Sequence, residues 1–200
     1  MKICCLGDSL TEGDYGVFGK KGIANVQKES YPFFLEKLSG AEVKNFGKCG
    51  YTATTYLEYY NSGAVDLTGT DIVLILLGTN GGLDPVDHTP GNNDYLELIR
   101  RCQKDAPLAS IILCTPPHVT ENPQMSNCGY ALQVQNAVLF VRNAARRLQL
   151  PLIDLAACGL FTAENEAVMQ PNDGLHFSAE GYRTMAEYIF LFLKSHRFVR

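Results

Sequence analysis

Unbroken apolar runs alternate with amphipathic stretches along the whole chain. The clearest run covers residues 71–77, in which Ile, Val and Leu follow Asp71 without a polar interruption and end before Gly78. Such runs are typical of parallel strands that helices cover on both faces. Shorter runs predict four further strands, at residues 3–6, 42–46, 110–114 and 151–155.

The amphipathic stretches predict helices at residues 31–38, 93–104 and 130–148, and a last helix that Ser178 caps. In the third stretch the apolar residues recur at helical spacing and form one stripe. That stripe consists of Val134, Val138, Val141, Ala145 and Leu148. One face of the last helix is also apolar, and it carries Tyr182, Met185, Ala186, Ile189, Phe190 and Leu193.

Alternating strands and helices predict an α/β fold, a three-layer α/β/α sandwich around a five-stranded parallel sheet. The sequence contains no internal repeat and no linker, so we expect residues 1–200 to form a single domain. In such folds the chemistry lies in loops beyond the carboxyl ends of the strands. Candidate catalytic residues should therefore follow a strand directly.

Ser9 meets this condition, because Gly7-Asp8-Ser9-Leu10 follows the first predicted strand. A serine hydroxyl is a weak nucleophile unless a neighbouring base accepts its proton. The alternative interpretation of this segment is that Asp8 or Ser9 only caps a turn.

A base is available in Asp173-Gly174-Leu175-His176, just before the last helix. This spacing lets Asp173 accept the Nδ1 proton of His176 and leaves Nε2 free to face a serine. His88 and His118 also lie in predicted loops and are weaker candidates for the base, whereas His196 is expected to be a solvated residue of the C-terminal tail.

Two other strand exits offer hydrogen-bond donors for a tetrahedral oxyanion. Residues 45–50 follow the second strand and end in Gly50, whose backbone N–H can approach a substrate closely. Gly78-Thr79-Asn80 follows the third strand and presents a side-chain amide. Taken singly, each segment could be an ordinary strand exit, but four exits that each supply a different part of one mechanism favour catalysis.

These segments resemble, in order and spacing, the four sequence blocks of the SGNH hydrolase superfamily, the GDSL esterases and lipases. The resemblance implies that Ser9 is the nucleophile, with His176 as general base and Asp173 orienting it. It also implies an oxyanion hole made by the backbone N–H groups of Ser9 and Gly50 and by the Asn80 amide. The implied fold is flavodoxin-like, with strand order 2-1-3-4-5.

The sequence departs from this family at one position, because Gly81 stands where an aspartate usually follows the third-block asparagine. We expect the chemistry to survive and the loop around Asn80 to be more flexible. Asp8, Thr79 and His118 are further candidates for contact with the substrate. Cys49 lies beside Gly50, but no neighbour in sequence would lower the pKa of its thiol, so we expect it to have no catalytic role.

Composition and charge exclude several other classes of protein. A net charge of −4 without a basic patch gives no sign of a nucleic-acid partner. The cysteine count is odd and no CxxC pair occurs, which indicates reduced thiols and no zinc site.

Only Met1 and Lys2 precede the first apolar run, and no run is long enough to span a membrane, so we expect a cytoplasmic protein without membrane insertion. The predicted mechanism needs no metal and no cofactor, and the sequence does not predict an oligomeric state.

We expect a small-molecule ester as substrate, with a short acyl group such as acetyl on a polar carrier such as a carbohydrate. The loops expected to line the site, residues 11–29, 81–92, 115–129 and 159–172, are mostly polar, with scattered aromatics such as Tyr15, Phe18 and Phe161. A lysophospholipase or acyl-thioesterase using the same residues is the alternative, and a non-catalytic flavodoxin-like binding module is a less favoured one.

Overall fold

The computed structural model describes residues 1–16, 29–86 and 88–199, and the elements below are those of these ranges. The strands are β1 (Lys2–Gly7), β2 (Glu42–Gly47), β3 (Ile72–Leu76), β4 (Ser110–Cys114) and β5 (Leu152–Ile153). The α-helices are α1 (Ser9–Glu12), α2 (Tyr31–Ser39), α3 (Ala53–Tyr59), α4 (Pro90–Asp105), α5 (Ala131–Leu148), α6 (Glu166–Met169) and α7 (Ala179–Ser195). A π-helical turn, Tyr60–Ala64, continues α3, and a 3₁₀ turn, Cys128–Tyr130, precedes α5.

The five strands form one parallel sheet in the order β2-β1-β3-β4-β5, which confirms the predicted fold class and strand order. Gly7, the last residue of β1, pairs with Gly47 at the end of β2 and with Leu76 at the end of β3. The carboxyl ends of the three strands are therefore level, and the loops that follow them begin side by side.

Hydrophobic cores lie on both faces of the sheet because successive strand residues point to opposite sides. In β3, Ile72 and Leu74 face one core and Val73 and Ile75 face the other. Helices α2 and α7 pack on the first face, helices α3 and α4 cover the second, and α5 contributes to both cores. This double coverage explains why β3 has no polar residue.

Two helix predictions change in the structure. Helix α4 begins at Pro90 and not at residue 93, because Thr89 caps it and proline is compatible with a first helical position. The apolar pattern of residues 48–70 predicts no helix, yet α3 forms there between β2 and β3. Its start is fixed by a reciprocal capping box between Thr52 and Thr55, which offsets the weak helix propensity of its threonines.

Two further boundaries are corrected. Strand β5 contains only Leu152 and Ile153. The chain then leaves the sheet at Asp154, which accepts one hydrogen bond from the Thr115 hydroxyl and pairs with Arg142 at 2.8 Å. The predicted stripe of α5 ends early, since Leu148 is exposed whereas Val141 and Ala145 are buried. None of the helices in the described ranges is long and apolar enough to cross a bilayer.

Candidate active site

Ser9 is the first residue of α1, directly beyond β1. Asp8 caps this short helix, and its Oδ1 accepts a hydrogen bond from the Leu10 N–H at 3.0 Å. Gly13 ends the helix in the left-handed conformation, and its N–H donates to the Ser9 carbonyl. The cap and the tight ending hold Ser9 at the edge of the sheet, where only 2% of the residue is exposed.

Asp173 organises the turn that carries His176. One carboxylate oxygen, Oδ1, accepts hydrogen bonds from the backbone N–H groups of Leu175 at 3.0 Å and His176 at 2.9 Å. The other oxygen, Oδ2, lies 2.7 Å from Nδ1 of the His176 ring. Both the backbone and the ring of His176 are thus fixed by one buried carboxylate.

The second ring nitrogen of His176 reaches Ser9. Its Nε2 lies 2.8 Å from the Ser9 Oγ, across 167 positions of sequence. Because Nδ1 faces a carboxylate oxygen, which only accepts, the neutral ring carries its proton on Nδ1 and presents a lone pair on Nε2. The hydroxyl therefore donates to a nitrogen that can accept its proton.

The charge state of Asp173 is set by competing effects. Burial by itself raises the pKa of this carboxyl. The hydrogen bond from the His176 ring, the electrostatic attraction of that ring and the hydrogen bonds from two backbone N–H groups lower it by more. The net effect lowers the pKa of Asp173 below its ordinary value of 3.8. Asp173 is consequently an anion at neutral pH.

Gly50 lies in the loop after β2, which the turn after β1 holds in place. The N–H of Lys48 donates to the Gly7 carbonyl at 2.9 Å, and the N–H of Cys49 donates to Glu12 Oε2 at 2.7 Å. Gly50 adopts φ +77°, a backbone conformation that other residues rarely take. A glycine is therefore needed for the chain to turn here.

Asn80 lies beyond β3, and its side-chain amide points across to the Gly50 loop. Its Nδ2 donates one hydrogen bond to the Tyr51 carbonyl at 3.0 Å. A primary amide has two N–H groups, so this contact fixes the amide plane and leaves a second donor. The structure thus brings Ser9, Gly50, Asn80 and His176 to the same edge of the sheet.

A cavity of about 240 Å³ opens beside Ser9. The side chains and backbone of eleven residues line it, namely Ser9, Asp14, Gly16, Cys49, Gly50, Asn80, Asn127, Tyr130, Asp173, Leu175 and His176. Asp14 and Asn127 lie in two of the loops expected to line the site, whereas Tyr130 lies just outside them, and nothing in the local sequence marks any of the three individually. Only their positions after folding bring them to Ser9.

The predicted lining loops contribute unequally. Asp14, Gly16 and Asn127 line the cavity beside Ser9. The loop at residues 84–92 instead contributes to a separate cavity of about 530 Å³ between α4 and α5. Phe161 is buried in a hydrophobic core and Tyr15 packs against that core, so neither of these two loop aromatics lines the cavity beside Ser9. Phe18 lies outside the described residues.

The structure also corrects the three candidate substrate contacts. Asp8 and Thr79 are fully buried, and neither lines the cavity beside Ser9. His118 lines a different cavity, with its Nε2 3.5 Å from Glu166 Oε2. His88 lies in the cavity between α4 and α5, so neither of these two histidines competes with His176.

Cys49 is exposed at the cavity, and its Sγ lies 3.4 Å from Asp14 Oδ2. Desolvation and the carboxylates of Asp14 and Glu12 raise the pKa of the thiol to about 12. The thiolate form is therefore scarce at neutral pH, and Cys49 is a poor nucleophile beside Ser9. Within the described ranges no group of three or more His, Cys, Asp or Glu side chains is arranged to hold a metal ion.

A model of the GDSL-like lipase/acylhydrolase family matches residues 5–184, a span that includes the end of β1, the other four strands and the residues around Ser9. This chain belongs to that family. The match confirms the resemblance inferred from the four sequence blocks. As a member of the GDSL family, the protein is a carboxylic ester hydrolase. The less favoured alternative, a non-catalytic flavodoxin-like binding module, is therefore rejected.

Solved structures with this fold include a lipase/acylhydrolase from Enterococcus faecalis, 23% identical with a TM-score of 0.71, which covers 98% of this chain and 96% of its own. The M. smegmatis aryl esterase is 19% identical with a TM-score of 0.72 and coverages of 97% and 98%. A carbohydrate acetylesterase from Sinorhizobium meliloti is 18% identical with a TM-score of 0.68 and the same coverages. At these identities the likeness establishes the fold alone. A search of the curated proteins finds no match.

Proposed function

We propose that this GDSL hydrolase cleaves carboxylic esters through an acyl-Ser9 intermediate, with His176 as general base and Asp173 as the residue that orients it. The observation that carries the proposal is the unbroken hydrogen-bond path from Ser9 Oγ to His176 Nε2, at 2.8 Å, and from His176 Nδ1 to Asp173 Oδ2, at 2.7 Å. Serine activation by a histidine and a carboxylate requires this geometry.

In the first half of the cycle, Ser9 Oγ attacks the ester carbonyl while its proton moves to His176 Nε2. The positive charge that forms on the ring faces the Asp173 anion, which stabilises it. When the tetrahedral intermediate collapses, His176 returns the proton to the leaving alkoxide and the alcohol departs. In the second half, His176 takes a proton from water, the resulting hydroxide attacks acyl-Ser9, and the acid leaves with Ser9 reprotonated.

The oxyanion of each tetrahedral intermediate would be stabilised by three donors. Ser9 opens α1, so its backbone N–H has no carbonyl partner within the helix. Gly50 presents a backbone N–H from the neighbouring loop, and Asn80 presents the amide N–H that does not bond to Tyr51. Donors that are held in place before the reaction need no reorganisation during it.

For the substrate, we infer a short acyl group on a polar carrier. The cavity of about 240 Å³ is smaller than the roughly 300–1,000 Å³ pockets that hold drug-sized ligands. Asp14, Asn80 and Asn127 are among its lining residues, and their polar groups suit a polar carrier. One structural neighbour is named a carbohydrate acetylesterase and another an aryl esterase, so the identity of the alcohol has to come from experiment.

The acyl preference is tested with p-nitrophenyl esters from acetate to decanoate, followed by acetylated sugars and phenyl acetate. We expect kcat/KM to be highest for acetate and to fall steadily with chain length. A faster reaction with decanoate, or with lysophosphatidylcholine or an acyl thioester, would replace this proposal with the lysophospholipase or thioesterase alternative.

The nucleophile is tested by Ser9→Ala, with Ser62→Ala as the matched control because Ser62 is exposed on the π-helical turn after α3. A fluorophosphonate probe should label the wild type and the control but not Ser9→Ala. Undiminished ester hydrolysis by Ser9→Ala would reject the acyl-Ser9 mechanism.

A further inference from the structure

Asn80 follows Thr79 in a tight turn, in which the N–H of Gly81 donates to the Gly78 carbonyl at 3.2 Å. Gly81 and Gly82 both adopt φ +82° and have no side chains that could hold the turn from its own sequence. The direction of the Asn80 amide must therefore depend on groups from elsewhere in the fold.

One such group is Gln133, in the first turn of α5. Its Nε2 donates a hydrogen bond to the carbonyl of Thr79 at 2.9 Å, across 54 positions of sequence. Its Oε1 lies 3.0 Å from where a Cβ on Gly81 would stand. The half-buried Gln133 side chain thus binds Thr79 and lies close to Gly81, the residues before and after Asn80.

The second external contact is the Tyr51 carbonyl, which accepts from Asn80 Nδ2 at 3.0 Å. Gln133 fixes the backbone from which the Asn80 side chain projects, and Tyr51 fixes the end of that side chain. Together they restrict where the remaining amide N–H can point. The same helix α5 begins directly after Tyr130, which lines the cavity beside Ser9.

We propose that Gln133 is a positioning residue that aims the Asn80 amide at the oxyanion. This inference rests on the proposed function, since it assigns Gln133 a role through Asn80. A purely structural role would satisfy the buried Thr79 carbonyl and affect only stability. A positioning role predicts a loss of kcat, because a small misplacement of a preorganised donor weakens transition-state stabilisation without weakening substrate binding.

The central test compares Gln133→Met, which keeps the length of the side chain but removes the donor, with Gln135→Met on the same helix. Gln135 is exposed and donates to Glu121 at 3.2 Å, so the control removes a similar hydrogen bond away from the turn. We expect Gln133→Met to lower kcat about tenfold, the size of one net hydrogen bond, with KM within about twofold of wild type. Gln135→Met should leave both constants unchanged.

A double-mutant cycle with Asn80→Ala asks whether Gln133 acts through Asn80. When the amide is already absent, Gln133→Met should lower kcat by less than about twofold, because there is no donor left to aim. An undiminished tenfold loss in the Asn80→Ala background would overturn the proposal. So would a wild-type kcat in Gln133→Met together with a lowered melting temperature.

Gln133→Glu provides an independent readout. An ionised carboxylate cannot donate to the Thr79 carbonyl, but a protonated one can. The kcat of this variant relative to wild type should therefore rise as the pH falls from 7.5 to 4.5, which approaches the ordinary glutamate pKa of about 4.3. A constant ratio over this range would contradict the role of the donor. Ser9→Ala, measured alongside, separates the two proposals: an inactive Ser9→Ala with an unaffected Gln133→Met rejects only the inference about Gln133.

Discussion

The side of the site that carries His176 and the side that carries Gly50 and Asn80 are held together in different ways. Asp173 and His176 are three positions apart, and the Asp173 carboxylate binds both the ring and the backbone of that turn. Gly50 and Asn80 follow different strands, and they are aligned by contacts from Tyr51 and Gln133. The base side is organised within one turn, whereas the oxyanion side depends on the assembled fold.

The largest expected effect is on the base side. His176→Ala should lower kcat by about 10⁴–10⁶ with the fold intact, because it removes the ring nitrogen that accepts the Ser9 proton. Asp173→Ala should cost less, since it removes only the orientation and charge stabilisation of the ring. His88→Ala, in the separate cavity between α4 and α5, is the matched control and should be silent. An active His176→Ala would remove the base side from the mechanism.

On the oxyanion side, Asn80→Ala should lower kcat by about 10²–10³ with little change in KM, as expected for one lost oxyanion donor. Asn80→Asp has nearly the same shape but only accepting oxygens when ionised, so it should be at least as impaired. Steady-state kinetics on the acetyl ester measure both variants. A loss confined to KM would mean that Asn80 binds the ground state and not the oxyanion.

Asp8 is a fully buried neighbour of Ser9, and its ionisation should change the stability of the folded protein. Burial raises the pKa of this carboxyl from 3.8 to about 6, against the lowering that the Leu10 N–H and His176 produce. Between these two pH values the folded protein binds more protons than the unfolded chain, so stability falls as pH rises. The difference corresponds to about 3 kcal/mol, present below pH 3.8 and lost above pH 6.

Asp8→Asn removes this pH dependence, because an asparagine can still cap α1 through its amide oxygen. Urea unfolding of the two proteins between pH 4.5 and 7.5 measures the difference. We expect Asp8→Asn to gain stability relative to wild type as the pH rises. A constant difference across this range would show that Asp8 titrates normally.

The smallest expected effect on catalysis comes from Thr120, which packs against the Asp173–His176 turn. Its N–H donates to the Gly174 carbonyl at 2.8 Å, and its hydroxyl donates to the buried Glu166 at 2.8 Å. Thr120→Val keeps the backbone contact and leaves Glu166 without that donor, at a cost of about 1–3 kcal/mol in unfolding free energy. Because Asp173 holds His176 within its own turn, kcat should change less than about threefold.

Thermal unfolding and kinetics of Thr120→Val, set beside Gln133→Met, sharpen the contrast between the two sides. The first variant should lose stability and keep its turnover, and the second should lose turnover and keep most of its stability. If Thr120→Val lost turnover as strongly as Gln133→Met, the base side would depend on the assembled fold as much as the oxyanion side does.

The fold was predictable because its signals are local. The continuous apolar run of β3 reflects a strand buried on both faces, and the apolar stripe of α7 reflects a helix buried on one face. Both elements appear in the structure. Helix α3 was missed because its threonines are poor helix formers and the capping box between Thr52 and Thr55 decides its start. The length of β5 was overestimated because the apolar residues on either side of Leu152 and Ile153 do not join the ladder with β4.

The sequence by itself determined the segments that meet at Ser9, since parallel strands bring their carboxyl ends to one edge. The resemblance of those segments to the GDSL family then implied the strand order. The sequence also placed Asp173 and His176 in one turn, where three positions suffice for the contact. Only the tertiary structure decided that Asp14, Asn127 and Tyr130 line the cavity, that Asp8 and Thr79 are buried, and that Gln133 holds the Asn80 turn. The cavity lining, the burial and the Gln133 contact all depend on residues far apart in sequence. The local sequence around each residue therefore does not predict them.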